Sequence, residues 1–548
     1  MNSGDRPRRA LILVVVLIMI VLLSLLAAGY TFMVRAHLNT VIADMEQFQA
    51  RMAAEAGAQR AIVALRETRG DVDSWFDNPE DYRAALVWGE EGDEGEAVFQ
   101  TRSDARTYDS RAEPAWRFTL YAPNTDDPDT ARYGFTDESA RLDLNVATEA
   151  QIRRLFEMVI PDDPDNPVEL DVLVDSLFDW RTRGTRPREH GAKDDYYLSL
   201  DPPYRCKSAD FSTVEELLLV RGFTAWVVYG EDYNQNGLLD PNEDDGDVSF
   251  PPDDANGELF RGVAPYLTVW SMEMNTSGDN RPRIHLNLTS PEDLEEKLQE
   301  ESFNGDLITY IIGIRSQGGT FPSVMNLLPA PEADERDTGS DQPPVSTQPT
   351  GDAATSQPDN GNADGSGGGL TDQDGANGTS ENQPSQPAWV NLTDEIPPGT
   401  EDDLPLILDR LTTDSPGQLR GRINVSTAPR EVLAMIDELT EQELDALVET
   451  RKELPSAEKS TPAWLLTKGI VGKEKFYRIL PKITTKSSRY RIESVGYADH
   501  VGVISRIMMV IEMRGPIPQV LYYRNLDRLG PAYTPYGEER RGQNNRSG

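Results

Sequence analysis

The sequence has little cysteine, little histidine and no familiar catalytic motif. Cys206 is the only cysteine among 548 residues, so no intrachain disulfide can form. The four histidines lie far apart, and none belongs to a two-histidine zinc motif such as H-E-x-x-H. No G-x-S-x-G motif or phosphate-binding loop is present. We therefore expect a protein that is not an enzyme.

Basic residues are also scarce relative to acidic ones. The chain has 53 Lys and Arg against 93 Asp and Glu, a formal net charge of -40. Such a surface repels nucleic acid phosphates and anionic lipid head groups, and it favours cations as small partners.

The length of the chain, 548 residues, predicts several small domains, because single hydrophobic cores stop growing near roughly 250 to 300 residues.

One long apolar run interrupts the acidic sequence near the N-terminus. Residues 11–28 contain no charge, and Ser24 is their only polar residue. At about 1.5 Å per residue the run is roughly 27 Å long, close to the thickness of a bilayer's hydrocarbon core. Three arginines precede it, so the positive-inside preference leaves the N-terminus in the cytoplasm. We predict a basic leader over 1–10 and a single transmembrane helix over 11–30.

A cleaved signal peptide has the same basic start and apolar core, and the small residues Ala27, Ala28 and Gly29 suit a cleavage site. The residues that follow favour an uncleaved helix. Residues 33–65 contain no proline and one glycine, and they are rich in helix formers. We predict one helix of about fifty residues, which continues outside the membrane over 31–70.

Three later stretches repeat one another, which indicates one helical unit used three times. In each copy an Asn ends a short strand, and a hydroxyl three residues later is placed to cap an amphipathic helix; the hydroxyls are Thr148, Ser290 and Thr427. Gln151 completes a capping box with Thr148, and Pro291 suits the first helical position. A second helix then ends near an Arg, and a third segment contains an apolar pair. The copies begin LDLNVAT (142–148), IHLNLTS (284–290) and RINVSTA (422–428).

These units are typical of helix-hairpin-helix or SAM-like domains, and strand patterns flank them. Strands are predicted at 96–101 and 116–121, in a hairpin around the turn at 137–139, and after Lys486. We expect the last strands to pair with those before residue 140, so that the helical units are an insertion in one α+β head. The predicted domains are strands over 71–141, a helical insertion over 142–331, a disordered Gly/Ser/Pro-rich acidic linker over 332–388, a further helical unit over 389–485, C-terminal strands over 486–530 and a disordered tail over 531–548.

The sharpest motif is a predicted calcium loop over 232–243, within EDYNQNGLLDPNE. Calcium prefers six to eight hard oxygens, and the glycine at position 6, Gly237, permits the sharp turn that such loops need. An acidic loop without a ligand has a similar composition. The flanks are not long helices, so we predict a structural site and not a sensor. The candidate ligands are Asp232, Asn234, Asn236, Asp240 and Glu243 through their side chains and Leu238 through its carbonyl; Asp194 and Asp195 are candidates for a second metal site.

The order of these features resembles the K class of minor pseudopilins of type II secretion systems, also called general secretion pathway protein K. The matching stretches are the N-terminal helix, DESARLDLN, GAKDDYYLSLDPPYR, FSTVEELLLVRG, INVSTAPREVL and the final strands. The resemblance implies a pilin-like α+β fold, in which a long N-terminal helix packs on an antiparallel sheet and an all-α domain of helix-hairpin-helix or SAM-like repeats is inserted. It also implies calcium as a cofactor.

For function, the resemblance implies a subunit that caps the tip of a periplasmic pseudopilus and helps to initiate its assembly, for protein export across the outer membrane. Its anchor would lie in the inner membrane and its bulk in the periplasm. The implied partners are minor pseudopilins of the I and J classes, bound through the N-terminal helix, and prepilin peptidase.

The chain departs from the usual pattern of this family at two places. The processing region reads Arg9, Ala10, Leu11, without the usual glycine before the cleavage site. The apolar run has valines at residues 14–16, where most such proteins carry a Glu. One class of minor pseudopilin characteristically lacks that acid, so the second departure agrees with a position at the tip.

The alternative function is a membrane-anchored DNA receptor, because helix-hairpin-helix units bind phosphate through backbone N–H groups of a glycine-rich hairpin. The stretch LLTKGIVGKEKFYRIL offers Gly469 and Gly472. The hairpins of the earlier copies are acidic and lack paired glycines, which makes nucleic acid the less favoured partner. The basic residues near this hairpin are Lys468, Lys473, Lys475 and Arg478.

Overall fold

The structure of the protein is a computed structural model that describes most of the chain. The described residues are 6–89, 115–124, 130–163, 167–246, 248, 250, 253–330, 395–414, 417–498, 502–515 and 517–530. The strand predicted at 96–101, the linker predicted at 332–388 and the tail predicted at 531–548 lie outside them.

Helices and short strands alternate along the described chain. The α-helices are α1 (Arg6–Thr68), α2 (Pro79–Tyr82), α3 (Glu149–Val159), α4 (Leu170–Arg181), α5 (Asp194–Tyr197), α6 (Ala225–Tyr229), α7 (Pro291–Glu300), α8 (Gly305–Ser316), α9 (Leu404–Arg410), α10 (Arg430–Leu433), α11 (Glu441–Glu453), α12 (Ser456–Lys459), α13 (Trp464–Thr467) and α14 (Lys473–Ile479). The strands are β1 (Ala85–Trp88), β2 (Trp116–Pro123), β3 (Ala131–Tyr133), β4 (Thr136–Asp137), β5 (Leu142–Asp143), β6 (Leu267–Thr268), β7 (Glu273–Met274), β8 (Ile284–His285), β9 (Leu411–Thr412), β10 (Gln418–Leu419), β11 (Ile423–Asn424), β12 (Ile483–Thr484), β13 (Arg489–Ala498), β14 (Ile504–Arg514) and β15 (Ile517–Asn525). Short 3₁₀ turns lie at Val72–Ser74, Glu138–Ala140, Val214–Leu219, Ala264–Tyr266, Val324–Leu327, Glu401–Asp403, Leu480–Lys482 and Asp527–Leu529.

A seven-stranded antiparallel sheet forms the base of the head. Its order is β1-β2-β13-β14-β15, with β3 paired to β2 and β4 paired to β13. The C-terminal strands β13 and β14 pair from Arg489 to Tyr497, and β13 also pairs with β2. The predicted pairing of C-terminal strands with strands before residue 140 is confirmed. The predicted α+β class, with a long N-terminal helix on an antiparallel sheet, is confirmed as well.

Helix α1 packs on this sheet only through its C-terminal half. Every described side chain from Val14 to Met45 is exposed. Two glycines allow the helix to approach the sheet closely: a Cβ on Gly57 would overlap the Phe118 ring, and a Cβ on Gly496 would overlap the helix backbone near Ala54. Burial of small side chains gives a flat contact surface here. The fully buried alanines of α1 are Ala50, Ala53, Ala54, Ala58 and Ala61.

The three sequence repeats each close through a two-residue parallel strand pair. β5 pairs with β6, β8 with β9, and β11 with β12. The predicted second helices of the three copies are observed as α4, α8 and α11. One hydrophobic core runs through all three copies, from Ala140 to Ile483. The helical residues before and after the predicted linker therefore pack together.

The arginine at the end of each second helix has the same role in all three copies. Its guanidinium donates to main-chain carbonyls of the turn that joins the short strand to the first helix. Satisfying these buried carbonyls stabilises the turn, since an unpaired buried acceptor costs about 1–3 kcal/mol. The pairs are Arg181 with Leu144 and Ala147 (2.8 Å), Arg315 with Asn287 (2.8 Å) and Thr289 (3.5 Å), and Arg451 with Val425 (3.5 Å) and Ala428 (2.6 Å).

An asparagine connects the first and third segments in two of the copies. The Asn145 amide accepts from the Phe211 N–H at 2.7 Å and donates to the Phe211 carbonyl at 3.1 Å. Asn287 makes the same two bonds with Phe321, both at 2.7 Å. In the third copy, Ser426 takes this place and donates to a different carbonyl. The repeat is thus a three-segment unit, and equivalent polar contacts hold it in the first two copies.

The predicted helix cap of the third copy is wrong. Thr148 and Ser290 cap their helices as predicted, and Thr148 forms the capping box with Gln151. Helix α10, by contrast, begins after Pro429 and ends at Leu433. The Thr427 hydroxyl donates instead to a buried carboxylate at 2.6 Å. The register of β11 explains the error, because Ser426 and not Asn424 corresponds to the Asn of the other copies.

The predicted hairpin around residues 137–139 is also wrong. β4 pairs with β13, whereas β5 pairs with β6, so the two strands do not pair with each other. The connecting residues are buried instead of exposed. Glu138 accepts from the Arg491 guanidinium at 2.8 Å and from the Thr268 hydroxyl. An acidic sequence typical of a turn is therefore a buried link between the sheet and the helical repeats.

Candidate metal loop

The predicted calcium loop begins directly after α6. Gly230 ends this helix at a φ of 65°, and a Cβ there would overlap the Phe260 carbonyl. The next residue, Glu231, donates its N–H to the same carbonyl at 2.8 Å. The start of the loop is therefore attached to a second chain segment before the first candidate ligand.

In the first half of the candidate metal loop, side-chain oxygens accept hydrogen bonds from the loop's own backbone. The Asp232 carboxylate accepts from the N–H groups of Asn236 and Gly237, both at 2.9 Å. Asn234 Oδ1 accepts from the Asn236 N–H at 3.0 Å, and Asn236 Oδ1 accepts from the Leu238 N–H at 2.6 Å. Gly237 has a φ of 74°, which a glycine adopts without strain. The oxygens of three alternating residues thus lie on the inner side of one turn.

The second half of the loop closes over the first. Glu243 accepts from the Tyr233 N–H at 3.0 Å and from the Asp240 N–H at 3.1 Å, one bond on each carboxylate oxygen. Asp240 accepts from the side-chain amides of Asn234 and Asn236 at 2.7 and 2.9 Å. The five predicted side-chain ligands are therefore brought together by the fold.

The two end carboxylates are buried. Asp232 is 4% exposed and Glu243 is 2% exposed. Burial raises the pKa of Asp232 to about 6, although backbone donors and Arg506 act against this rise. Burial also raises the pKa of Glu243 to about 7, and the neighbouring charges of Asp232 and Asp240 raise it further. Such sites favour a compensating cation.

The donor set fits a hard cation. In the described residues no three carboxylate, imidazole or thiol groups converge as a ready metal site. The loop adds two amide oxygens to its carboxylates, and calcium accepts such neutral oxygens. The Leu238 carbonyl stays a predicted sixth ligand.

Asp194 and Asp195, the candidates for a second metal site, lie at the start of α5. The Asp194 carboxylate accepts from the Cys206 N–H at 2.9 Å and lies 3.4 Å from the Arg205 guanidinium. Asp195 is exposed. The Asp194 carboxylate therefore binds the backbone at Cys206. The second metal site stays a prediction.

The processing region Arg9, Ala10 and Leu11 lies in the first turns of α1. One helix in the described part of the chain is long and apolar enough to cross a membrane, and it is this helix. A membrane anchor agrees with this finding.

The basic residues near Gly469 and Gly472 lie beside acidic partners. Lys468 is 2.6 Å from Glu458, and Lys475 is 2.6 Å from Glu443. Arg478 pairs with the glutamate one helical turn earlier. These partners neutralise much of the positive charge that a phosphate backbone would need.

Sequence reasoning missed the arginines that hold the loop, Arg261 and Arg506. They donate to the carbonyls of Gly237 and Gln235 at 3.0 and 2.8 Å. No local signal reveals them, because Arg506 lies 271 residues from its acceptor.

Comparison with known proteins gives a sequence-level match for part of the chain. Residues 136–229 match the family model of type II secretion system (T2SS) protein K. No curated protein matches the chain. Among solved structures, the crystal structure of the GspK-GspI-GspJ complex from the enterotoxigenic Escherichia coli type 2 secretion system is similar over 89% of this chain and 99% of that chain, with a TM-score of 0.35 and 9% sequence identity. Over residues 136–229 the chain is therefore similar to type II secretion system protein K, in agreement with the resemblance found in its sequence.

Proposed function

We propose that this protein is a minor pseudopilin that caps the tip of a type II secretion pseudopilus and helps to initiate its assembly for protein export. The observation that carries the proposal is the protein K match at 136–229 within a head built on a long N-terminal helix. The role is structural and includes no catalytic step.

The size of the insertion supports a position at the tip. The helical repeats lie between β4 and β13, which are neighbours in the sheet. The described residues between 138 and 488 therefore form one insertion in a small pilin-like head. Such a mass would collide with neighbours if it recurred along a narrow filament, whereas the end of a filament has room for it. We assign the projecting repeats to the helix-hairpin-helix or SAM-like class.

The exposed half of α1 supports the partners and the location. Its apolar side chains between Val14 and Met45 are exposed. They need lipid before assembly and other helices after it. We propose the I-class and J-class minor pseudopilins as those partners, and the inner membrane as the location, with the N-terminus in the cytoplasm and the bulk in the periplasm.

Co-purification tests this function. The full chain should form a complex with co-expressed I-class and J-class pseudopilins in detergent. Leu38→Arg should weaken the complex, because Leu38 is a 55% exposed residue of α1. Leu288→Arg is the matched control, since Leu288 is a 66% exposed leucine of the helical repeats.

Failure of the wild-type chain to join either partner would contradict the proposed function. Equal losses with both arginine variants would contradict the assignment of the contact to α1. A salt-dependent affinity for DNA would instead favour the receptor alternative.

We further propose that the loop at 232–243 holds calcium as a structural cofactor. The support is the set of oxygens described above, with two buried carboxylates at its ends. The cation would supply positive charge where burial disfavours two negative groups. In a chain with one cysteine, it would also act as a crosslink that no disulfide can provide.

Calorimetric titration of the chelator-treated full chain tests this site. Wild type should bind calcium, and Asp232→Asn and Glu243→Gln should abolish that binding. Glu258→Gln should bind as wild type does, because Glu258 is exposed and lies outside the loop. Unchanged binding by both loop variants would refute this site and favour Asp194 and Asp195.

A further inference from the structure

A buried arginine from the sheet holds the backbone of the candidate metal loop. Arg506 of β14 has a side chain that is 1% exposed. Its guanidinium donates to the carbonyls of Asn234 and Gln235 at 2.5 and 2.8 Å. The same group pairs with Glu493 of β13 at 2.8 Å. One side chain therefore connects two sheet strands with two successive carbonyls of the loop.

These carbonyls belong to a turn with an unusual backbone conformation. Gln235 has a φ of 55°, in the left-handed region that side chains other than glycine seldom adopt. The turn places Asn234 and Asn236 on the same side, where both amides donate to Asp240. Arg506 binds the carbonyl at the centre of this turn. It therefore stabilises the conformation that brings the candidate ligands together.

Other contacts also seat the loop on the sheet. Leu238 packs on the sheet surface, and the backbone at Gly237 lies against Pro123 at the end of β2. Arg261 donates to the Gly237 carbonyl at 3.0 Å from the helical side. The loop thus fills the junction between the helical repeats and the sheet. The sheet residues around Leu238 are Tyr121, Val495 and Tyr497.

We propose that Arg506 is a positioning residue for the metal loop, and that calcium binding and the docking of the helical repeats on the sheet are coupled through it. This inference rests on the calcium site proposed above. Coupling between two events is reciprocal, so the contact that favours docking also favours metal binding. Arginine suits the position because its planar fork serves two carbonyls and a carboxylate together, which a lysine ammonium on a flexible stem does not.

Calcium titration of Arg506→Lys tests the role. The full chain in detergent, freed of metal with a chelator, should bind calcium about 10–100-fold more weakly than wild type, as is usual when the partners of metal ligands are changed. Arg489→Lys is the matched control. Arg489 is a 12% exposed arginine of β13 that pairs with Glu512 at 2.8 Å, and in the described residues it makes no contact with the loop.

Thermal unfolding with and without calcium separates positioning from ordinary stabilisation. If Arg506 only stabilises the fold, Arg506→Lys should lower the thermal midpoint equally with and without calcium. The calcium-induced rise in the midpoint would then be unchanged. If Arg506 positions the metal loop, the calcium-induced rise should be smaller in Arg506→Lys and should equal the wild-type rise in Arg489→Lys. Adding Gln235→Gly should restore part of the rise, because glycine adopts the left-handed turn without strain.

Hydrogen exchange of the wild-type chain tests the coupling without any variant. Calcium should slow amide exchange in residues 232–243 and also in the sheet peptides that border the loop. Slowing in the loop alone would overturn the coupling, as would equal calcium affinities in wild type and Arg506→Lys. A wild-type chain that binds no calcium would overturn the proposed cofactor as well, which distinguishes the two failures.

Discussion

Asp137 shows at the scale of one residue how the head and its insertion are joined. Its carboxylate lies on β4 and is fully buried. It accepts from the Thr427 hydroxyl at 2.6 Å and from the Asn424 amide at 2.9 Å, both in the third helical repeat. Burial raises the pKa of Asp137 to about 6. We therefore expect the stability of this junction to depend on pH.

Asp137→Asn should remove one component of the pH dependence of stability. The folded-state pKa exceeds the unfolded value near 4, so the folded protein binds the proton more tightly. Stability from this group is greatest below about pH 4 and falls as pH rises to about 6, by roughly 3 kcal/mol. Thermal unfolding between pH 4 and pH 7 should show a shallower decline in the variant.

Asp171→Asn serves as the control for that series, because Asp171 has a 60% exposed side chain. It should keep the wild-type pH profile. A wild-type profile in Asp137→Asn would show that this carboxyl does not titrate in the folded protein between these values.

At the scale of elements, the contact between α1 and the sheet depends on glycine. Gly57 lies where a Cβ would overlap both Phe118 and Ser494. Gly313 of α8 is also a helical glycine, but a Cβ there would have nothing within 4 Å. The two positions have the same helix propensity and differ in packing alone.

Gly57→Ala and Gly313→Ala should therefore have opposite effects on stability. The first should lower the free energy of unfolding by about 1–3 kcal/mol, the usual effect of overpacking. The second should raise it by up to about 1 kcal/mol, because alanine favours a helix. Thermal midpoints of the two variants measure this, and an increase in both would show that α1 can shift away from the sheet at little cost.

The whole molecule combines a compact head with a helix that extends far beyond it. Between Val14 and Met45 the described side chains of α1 are exposed, and burial begins at Ala50. Lipid or partner subunits must cover the apolar residues of this segment. The head does not need them for its own core.

Removal of residues 1–45 should therefore release a soluble, folded head. Its thermal midpoint, measured by circular dichroism, should equal that of the full chain in detergent, because no described core residue is lost. The truncated chain should also fail to float with vesicles. A large fall in the midpoint would show that the apolar segment stabilises the head directly.

Much of this architecture could be predicted from local sequence. The long helix follows from its helix formers, and the capping box of Thr148 and Gln151 follows from spacing. Alternating apolar residues predict the strands β13, β14 and β15. The same pattern predicts β2, which pairs with β13. These signals are local, since the spacing of neighbouring residues indicates helix caps and strand faces.

The errors arose where distant contacts override local preference. Thr427 has the spacing of a helix cap, but a buried carboxylate 290 residues away takes its hydroxyl. Residues 137–139 have the composition of an exposed turn, yet they are buried, and Glu138 accepts from Arg491 and Thr268. Strand β1 was not predicted, because its four residues form a strand only by pairing with β2.

The sequence by itself determined the anchor helix, the three helical units, the C-terminal strands and the identity of the loop residues, because each depends on neighbours within a few positions. Tertiary structure alone decided that the helical units share one core, that the predicted turn is a buried link, and that Arg506 holds the loop. Those features depend on residues hundreds of positions apart, and only the packing of the sheet against the repeats brings them together.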